Sequence, residues 1–494
     1  MRHRLQMKPL AFAAALLCAG SASAATSQAE LIKLLEKLNQ RVERLEQRNS
    51  QLERELRERQ APPRQASSTP DSDVEKRVQA LEKQQEHLAR SLESDTISEK
   101  DPELATRLKA VEAQAQGMRA TADKMGALDG ISAGLSLTTV AQRSSETGSQ
   151  LSYRGDAYVS LPLEPVGDIQ HKVFAQFRLG QGEGLNGLPT YSVPNATAFQ
   201  LGSVNPDDSV AMLAQAWYQA DIPLPRGGSA EQSKQMLEVN FGKMDPFVFF
   251  DQNAAAGDET RQFMNAAFVH NPLLDAGGDI GVDANGFTPG FRLSYYNLES
   301  KPQAWRVSLG VFGAGARGSN YQRSLAQPMV MLQAETEQRL FGGLTGNYRV
   351  YAWRNPQAAH FDENLATPER HSGWGISADQ RVGDGITLFG RYGHQMQGNV
   401  RFDRALTLGA EINGSYWDRG GDSIGLAAGL LKSSRDYRNF AAVASAEQVG
   451  ELYYRYRINK QFELSPSLQY IGNPGGDRSA DSVKILGLRA QLTY

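Results

Sequence analysis

Apolar residues early in the chain fall at Leu31, Leu35, Leu38, Val42, Leu45, Leu52 and Leu56, in alternating steps of four and three with Asn49 in the same stripe. That spacing is a heptad seam, and it predicts a helix over 25–60 whose single apolar stripe requires a partner helix. Residues 61–73 carry Pro62, Pro63 and Pro70 among serines, the composition of a linker. Weaker seams follow through Val74, Val78, Leu81, Gln85, Leu88 and Leu92, and again through Leu104, Leu108, Val111 and Met118. Residues 74–128 are therefore expected to be helical too, giving a rod of about 110 Å at about 1.5 Å per residue.

After Gly130 the period changes to two. Val173, Ala175, Phe177 and Leu179 alternate with Lys172, Gln176 and Arg178, and Trp305, Val307, Leu309 and Val311 alternate with Arg306, Ser308 and Gly310. The same pattern runs through Leu406, Leu408, Ala410 and Ile412, and through Leu452, Tyr454, Tyr456 and Ile458. About sixteen such segments fit between Ala133 and Tyr494, enough to close a barrel around a channel. Gly383-Asp384-Gly385 and Asn459-Lys460 supply short turns, and the last strand ends on an aromatic residue. The expected fold is an all-β transmembrane barrel of about sixteen antiparallel strands over 129–494, preceded by an α-helical coiled coil. A soluble sandwich would alternate as well, but aromatic residues at strand ends suit a membrane interface.

The N-terminus supports export. Arg2, Arg4 and Lys8 precede the apolar run Pro9 to Gly20 and the small residues Ser21-Ala22-Ser23-Ala24, which predicts a signal peptide over 1–24. Cys18, the one cysteine, leaves with it, so the mature chain has neither a disulfide nor a thiol nucleophile. A net charge of -3 argues against a nucleic-acid partner. Past residue 24 no stretch is apolar enough for a membrane helix, which a barrel of alternating strands does not need. The expected location is the outer membrane, with the N-terminal region in the periplasm. No cofactor is expected.

If the apolar parity faces lipid, the other lines a lumen. It carries Arg178, Arg292, Arg306, Arg349, Arg381, Arg391, Arg455, Arg457 and Arg489, the carboxylates Glu238, Asp379, Glu411 and Glu451, and the aromatics Tyr296, Tyr351, Trp353 and Phe389. Aromatic faces stack on sugar rings while guanidinium and carboxylate groups bond hydroxyls, a weak multi-site path suited to permeation. The strand period fails between Gly242 and Gly286. Asp245, Asp251, Asn253, Asp258, Glu259 and Arg261 in that stretch are the candidates for a loop that folds inward and narrows the pore. Asp251 and Asn253 also suggest a calcium loop, but Ala255 and the offset Gly257 break that pattern, so no metal site is expected.

The runs Phe241-Gly242-Lys243-Met244-Asp245, Phe250-Asp251-Gln252-Asn253, Asp258-Glu259-Thr260-Arg261-Gln262-Phe263 and Phe268-Val269 with Asn271-Pro272 resemble the central signature of the OprB-type carbohydrate-selective porin family. Gly281-Val282-Asp283-Ala284-Asn285-Gly286, Glu451-Leu452-Tyr453-Tyr454-Arg455-Tyr456 and Gln469-Tyr470-Ile471 with Asn473-Pro474-Gly475-Gly476 extend the likeness over most of the barrel. The resemblance implies a sixteen-stranded barrel passing mono- or disaccharides by facilitated diffusion. Ala256-Gly257 and the coiled-coil prefix depart from it. An anion or phosphate porin and an envelope tether remain alternatives. A barrel enzyme is disfavoured, because none of His171, His270, His360, His371 and His394 sits in a recognisable Ser or Asp context. Expected partners besides sugars are outer-membrane lipid, further copies of the chain through the coiled coil, and peptidoglycan. Asn49 suits a dimer register, whereas porins commonly form trimers.

Overall fold

A computed structural model describes residues 131–494 apart from 186, 200–207, 226–232, 275–285, 300–302, 315–324, 363, 366 and 444. The signal peptide, both helical segments, the linker and the 281–285 motif lie outside the described residues.

Alternation produces sixteen strands in one closed sheet. They are β1 (Ser132–Ser144), β2 (Gly148–Val166), β3 (Ile169–Gln181), β4 (Val210–Leu224), β5 (Gln235–Met244), β6 (Thr288–Asn297), β7 (Trp305–Phe312), β8 (Met329–Leu340), β9 (Leu344–Ala358), β10 (Glu369–Gly383), β11 (Ile386–Gln397), β12 (Phe402–Asn413), β13 (Ser423–Ser433), β14 (Ala446–Arg457), β15 (Phe462–Gly472) and β16 (Val483–Thr493). Each pairs antiparallel with its sequence neighbour, and β1 closes on β16 with Val140 opposite Arg489. Tyr494 extends the seam by exchanging two backbone hydrogen bonds with Leu135, at 2.8 and 3.0 Å. Closure leaves no unpaired edge, the condition for a sheet in a bilayer.

One face of each strand is exposed and apolar, as at Leu426, Leu452, Leu468 and Leu486, while the facing parity is buried and largely polar. That inversion of the soluble pattern marks a lipid-facing exterior around a polar interior. Turns at 167–168, 341–343 and 384–385 are short at one end, whereas 182–209 and 245–287 are long at the other. Parity does not explain Leu431, Val449, Ile471, Val483 and Ile485, which are apolar yet buried inside the barrel. Val449, Ile471, Val483 and Ile485 cluster with Phe263 and Phe268 of the 245–287 connection, and Leu431 belongs to the cluster of Tyr191 and Phe402, so both faces of β13 to β16 are apolar near the long-loop end.

Candidate functional site

The connection from β5 to β6 enters the barrel and is lashed to the inner wall. Asp245 caps a turn at Pro246–Val248 by accepting from the Phe247 N–H. The chain then reverses at Asp251, whose φ of 54° lies in the left-handed region that aspartate tolerates better than most residues. Asp251 has no solvent exposure and is the principal tie. Its carboxylate takes Arg391 Nε of β11 at 3.1 Å, Tyr351 Oη of β9 at 2.7 Å and the Asn271 N–H at 2.5 Å. Arg391 also donates to the carbonyls of Asp251, at 3.1 Å, and Phe268, at 2.6 Å, so one guanidinium fastens both limbs of the loop. Inward-facing Gly375 and Gly393 lie under Asn271, where a Cβ at either would collide with its amide.

Farther along, Asn253 donates to the Ala378 carbonyl of β10 at 3.0 Å, and Arg261 pairs with Glu463 of β15 at 2.5 Å. Arg489 of β16 donates to the carbonyls of Glu259 and Gln262 at 2.9 and 2.8 Å. Glu451 of β14 accepts the Met264 and Asn265 N–H groups at 2.8 and 2.9 Å. The β3–β4 connection folds in beside it, a feature the strand pattern did not reveal. Glu447 holds the Tyr191, Ser192 and Gly475 N–H groups at 2.6 to 2.8 Å, and Ala196 N–H donates to Met264 at 2.8 Å.

The lumen and loop residues singled out in the sequence all lie in this interior or its loop, but they divide into two sets. Arg391, Arg489, Tyr351 and Trp353 are covered almost completely, as are Asp251, Asn253 and Asp258. The expectation that Tyr351, Trp353 and Phe389 offer ring faces to a sugar needs correcting: Tyr351 is bonded to Asp251, Trp353 lies in the cluster around Phe249 and Phe250, and Phe389 packs on Phe263. The loop consumes those faces. More open are Arg178 (11% of its side chain), Arg261 (17%) and Glu259 (21%), and Arg455 is half-buried.

A ladder of alternating charge crosses β5 to β10. Glu238 contacts Arg292 at 2.5 Å and Arg306 at 3.7 Å; Glu335 contacts Arg306 at 3.7 Å and Arg349 at 3.6 Å; Arg349 reaches Asp379 at 2.9 Å. Arg306 also lies over the Tyr296 ring at 4.7 Å. On β2 and β3, Asp156 bridges Arg154 and Arg178 at 2.9 and 2.7 Å, and Arg154 reaches Glu259 at 2.9 Å. Burial opposes ionisation of Glu259, but Arg154 and Arg178 outweigh it and hold the carboxyl below its ordinary range. Asp258 moves upward through burial and the adjacent Glu259. His270, stacked on Phe247 at 3.8 Å, is pushed down to about 3 by burial and is therefore neutral.

Tyr158, Phe174, Trp217 and Phe249 form a row of rings with centroids 6.0, 4.8 and 5.7 Å apart. Beside it, two residues away along the same inner faces, Asp156, Gln176 and Gln215 form a hydrogen-bonded polar row with links of 2.8 and 2.6 Å. The sequence reading missed Arg154, Asp156, Glu335, Glu447, Glu463 and the ring row. Ser152, Arg154, Asp156 and Tyr158 alternate on β2 and could have been found by the parity used for its neighbours.

Residues 115–494 match the family model described as carbohydrate-selective porin, OprB family. The chain belongs to the OprB family. Among relatives of this OprB-family chain, Porin B of Pseudomonas aeruginosa is 29% identical over 165 residues, a match covering 28% of this chain and 36% of that one. The match thus spans about a third of the curated relative's length. The high-pH structure of Pseudomonas putida OprB shares the fold, with a TM-score of 0.57 at 18% identity, covering 74% of this chain and 94% of that chain. The OprB-family fold accounts for the outer-membrane porin architecture, and a porin is a channel rather than a class of enzyme.

Proposed function

We propose that this barrel passes small carbohydrates, mono- or disaccharides, by facilitated diffusion, with the inner loop setting the narrowest point. The observation that carries the reading is the match of residues 115–494 to the carbohydrate-selective porin family, with Arg178, Glu259 and Arg261 left partly open where the loop meets the inner wall. A pyranose has a hydroxyl rim that guanidinium and carboxylate groups can hydrogen-bond, whereas Tyr158, Phe174, Trp217 and Phe249 are covered much as Trp353 is and offer no open ring face. Arg178→Ala is expected to weaken sugar block of ion current about tenfold, as loss of one charged hydrogen-bond donor implies. Arg178→Lys should preserve part of the block. Planar-bilayer recordings with a mono- and disaccharide series measure it, and unchanged block in Arg178→Ala would remove this guanidinium from the path.

An anion path is the second reading, favoured by the arginines. Pairing of Arg292, Arg306 and Arg349 with Glu238, Glu335 and Asp379 offsets much of that charge. The loop carboxylates test it further. Glu259→Gln removes a partly exposed negative charge and should shift reversal potential toward anion preference. Asp258→Asn should leave selectivity near wild type, because that side chain is buried and accepts from Thr260. Equal shifts in both variants would contradict the division of roles.

In this reading the long connections face outward and residues 25–128 lie in the periplasm, where the heptad seams would join copies of the chain, as a trimer or another oligomer, or approach peptidoglycan.

A further inference from the structure

The exterior of the barrel carries a feature that permeation does not use. Trp374, His394, Arg404 and Lys432 are successive cross-strand neighbours on β10 to β13, one row near the long-loop end. The parity of these strands turns all four outward, with Arg404 and Lys432 exposed. Like charges directly opposite one another destabilise a sheet, so the pair does nothing for the fold. Among the described residues neither cation forms an ion pair; Asp403, the bulge residue beside Arg404, bonds to neither. Toward the other end the same faces are aliphatic and open, with Leu406, Leu408 and Leu430 between 39% and 53% exposed.

Arg354, Lys484 and Arg143 continue the cationic belt on β9, β16 and β1. No paired outward position of β9 to β16 or of β1 holds an aspartate or glutamate. General snorkelling of basic side chains would place cations at both membrane interfaces. The short-turn end instead presents Tyr348, Tyr454, Tyr456 and Phe462 at its outward positions. The asymmetry points to an anionic amphiphile in one leaflet only.

We propose that the outward face of β10 to β13 binds a phosphate-bearing membrane lipid, with its headgroup on Arg404 and Lys432 against the Trp374 indole and its acyl chains along the leucines below. This rests on the barrel spanning a membrane and is independent of which solute it carries. The test is native mass spectrometry of the full chain from mixed micelles containing a bis-phosphorylated acylated glycolipid or its dephosphorylated form. Wild type should retain the phosphorylated lipid, and Arg404→Gln with Lys432→Gln should lower its apparent affinity about thirtyfold, as loss of two surface cations implies. Arg404→Lys should retain it. Both variants should conduct as wild type does, which shows they are folded. Equal retention by wild type and the double variant would overturn the site. Equal retention of the dephosphorylated lipid would reduce it to acyl contact, and displacement by millimolar inorganic phosphate would make it a free-anion site; either result overturns the lipid assignment.

Discussion

Asp251→Ala is expected to raise single-channel conductance severalfold and to abolish most sugar block while the barrel stays closed. The carboxylate and Arg391 are both wholly buried, and that guanidinium ties Asp251 on one limb of the loop to Phe268 on the other. Removing one partner of a buried ion pair costs about 3–5 kcal/mol, because the remaining charge is left without compensation. The sheet does not bear that cost directly, since its strand pairing is independent of the loop. The inner loop should therefore leave the wall before any strand separates. Asp251→Asn keeps an acceptor for Tyr351 and should fall between. Bilayer recordings give conductance and block, and heat-dependent gel mobility reports barrel integrity. Wild-type conductance with an intact barrel would mean that this pair does not hold the constriction.

Glu451→Leu should loosen the other end of the same loop. The carboxylate satisfies two adjacent N–H groups, those of Met264 and Asn265, inside the barrel. Each buried donor left unpaired costs about 1–3 kcal/mol, so together they should weaken the local structure by about 2–6 kcal/mol. Amide hydrogen exchange at Met264 and Asn265 is expected to accelerate about thirtyfold or more, with exchange in β14 to β16 little changed. Asn265 keeps its bond to Gln469 at 3.0 Å, which limits how far the segment can swing. Protection equal to wild type would show that packing of Phe263 and Phe268 holds the segment without Glu451.

The sequence by itself determined the wall. Alternation in segments such as Val173 to Leu179 and Leu486 to Leu492 fixes which side chains meet lipid, because successive strand residues point to opposite faces and one face must be apolar. The number of strands, the inward parity of the arginines, the β5–β6 connection as the irregular segment and the family resemblance were all legible at that level. Only the tertiary structure decided what those inward residues touch. Asp251, Arg391 and Tyr351 lie far apart in sequence and meet because a loop crosses the lumen, so a local pattern could mark them as inward but not as ties. The same crossing covers Trp353 and Phe389, leaves Glu259 and Arg178 partly open, and brings in the β3–β4 connection through Glu447. Strand periodicity reports a side chain's direction relative to its own backbone. Which groups share the interior depends on loops whose course is set by long-range hydrogen bonds and packing.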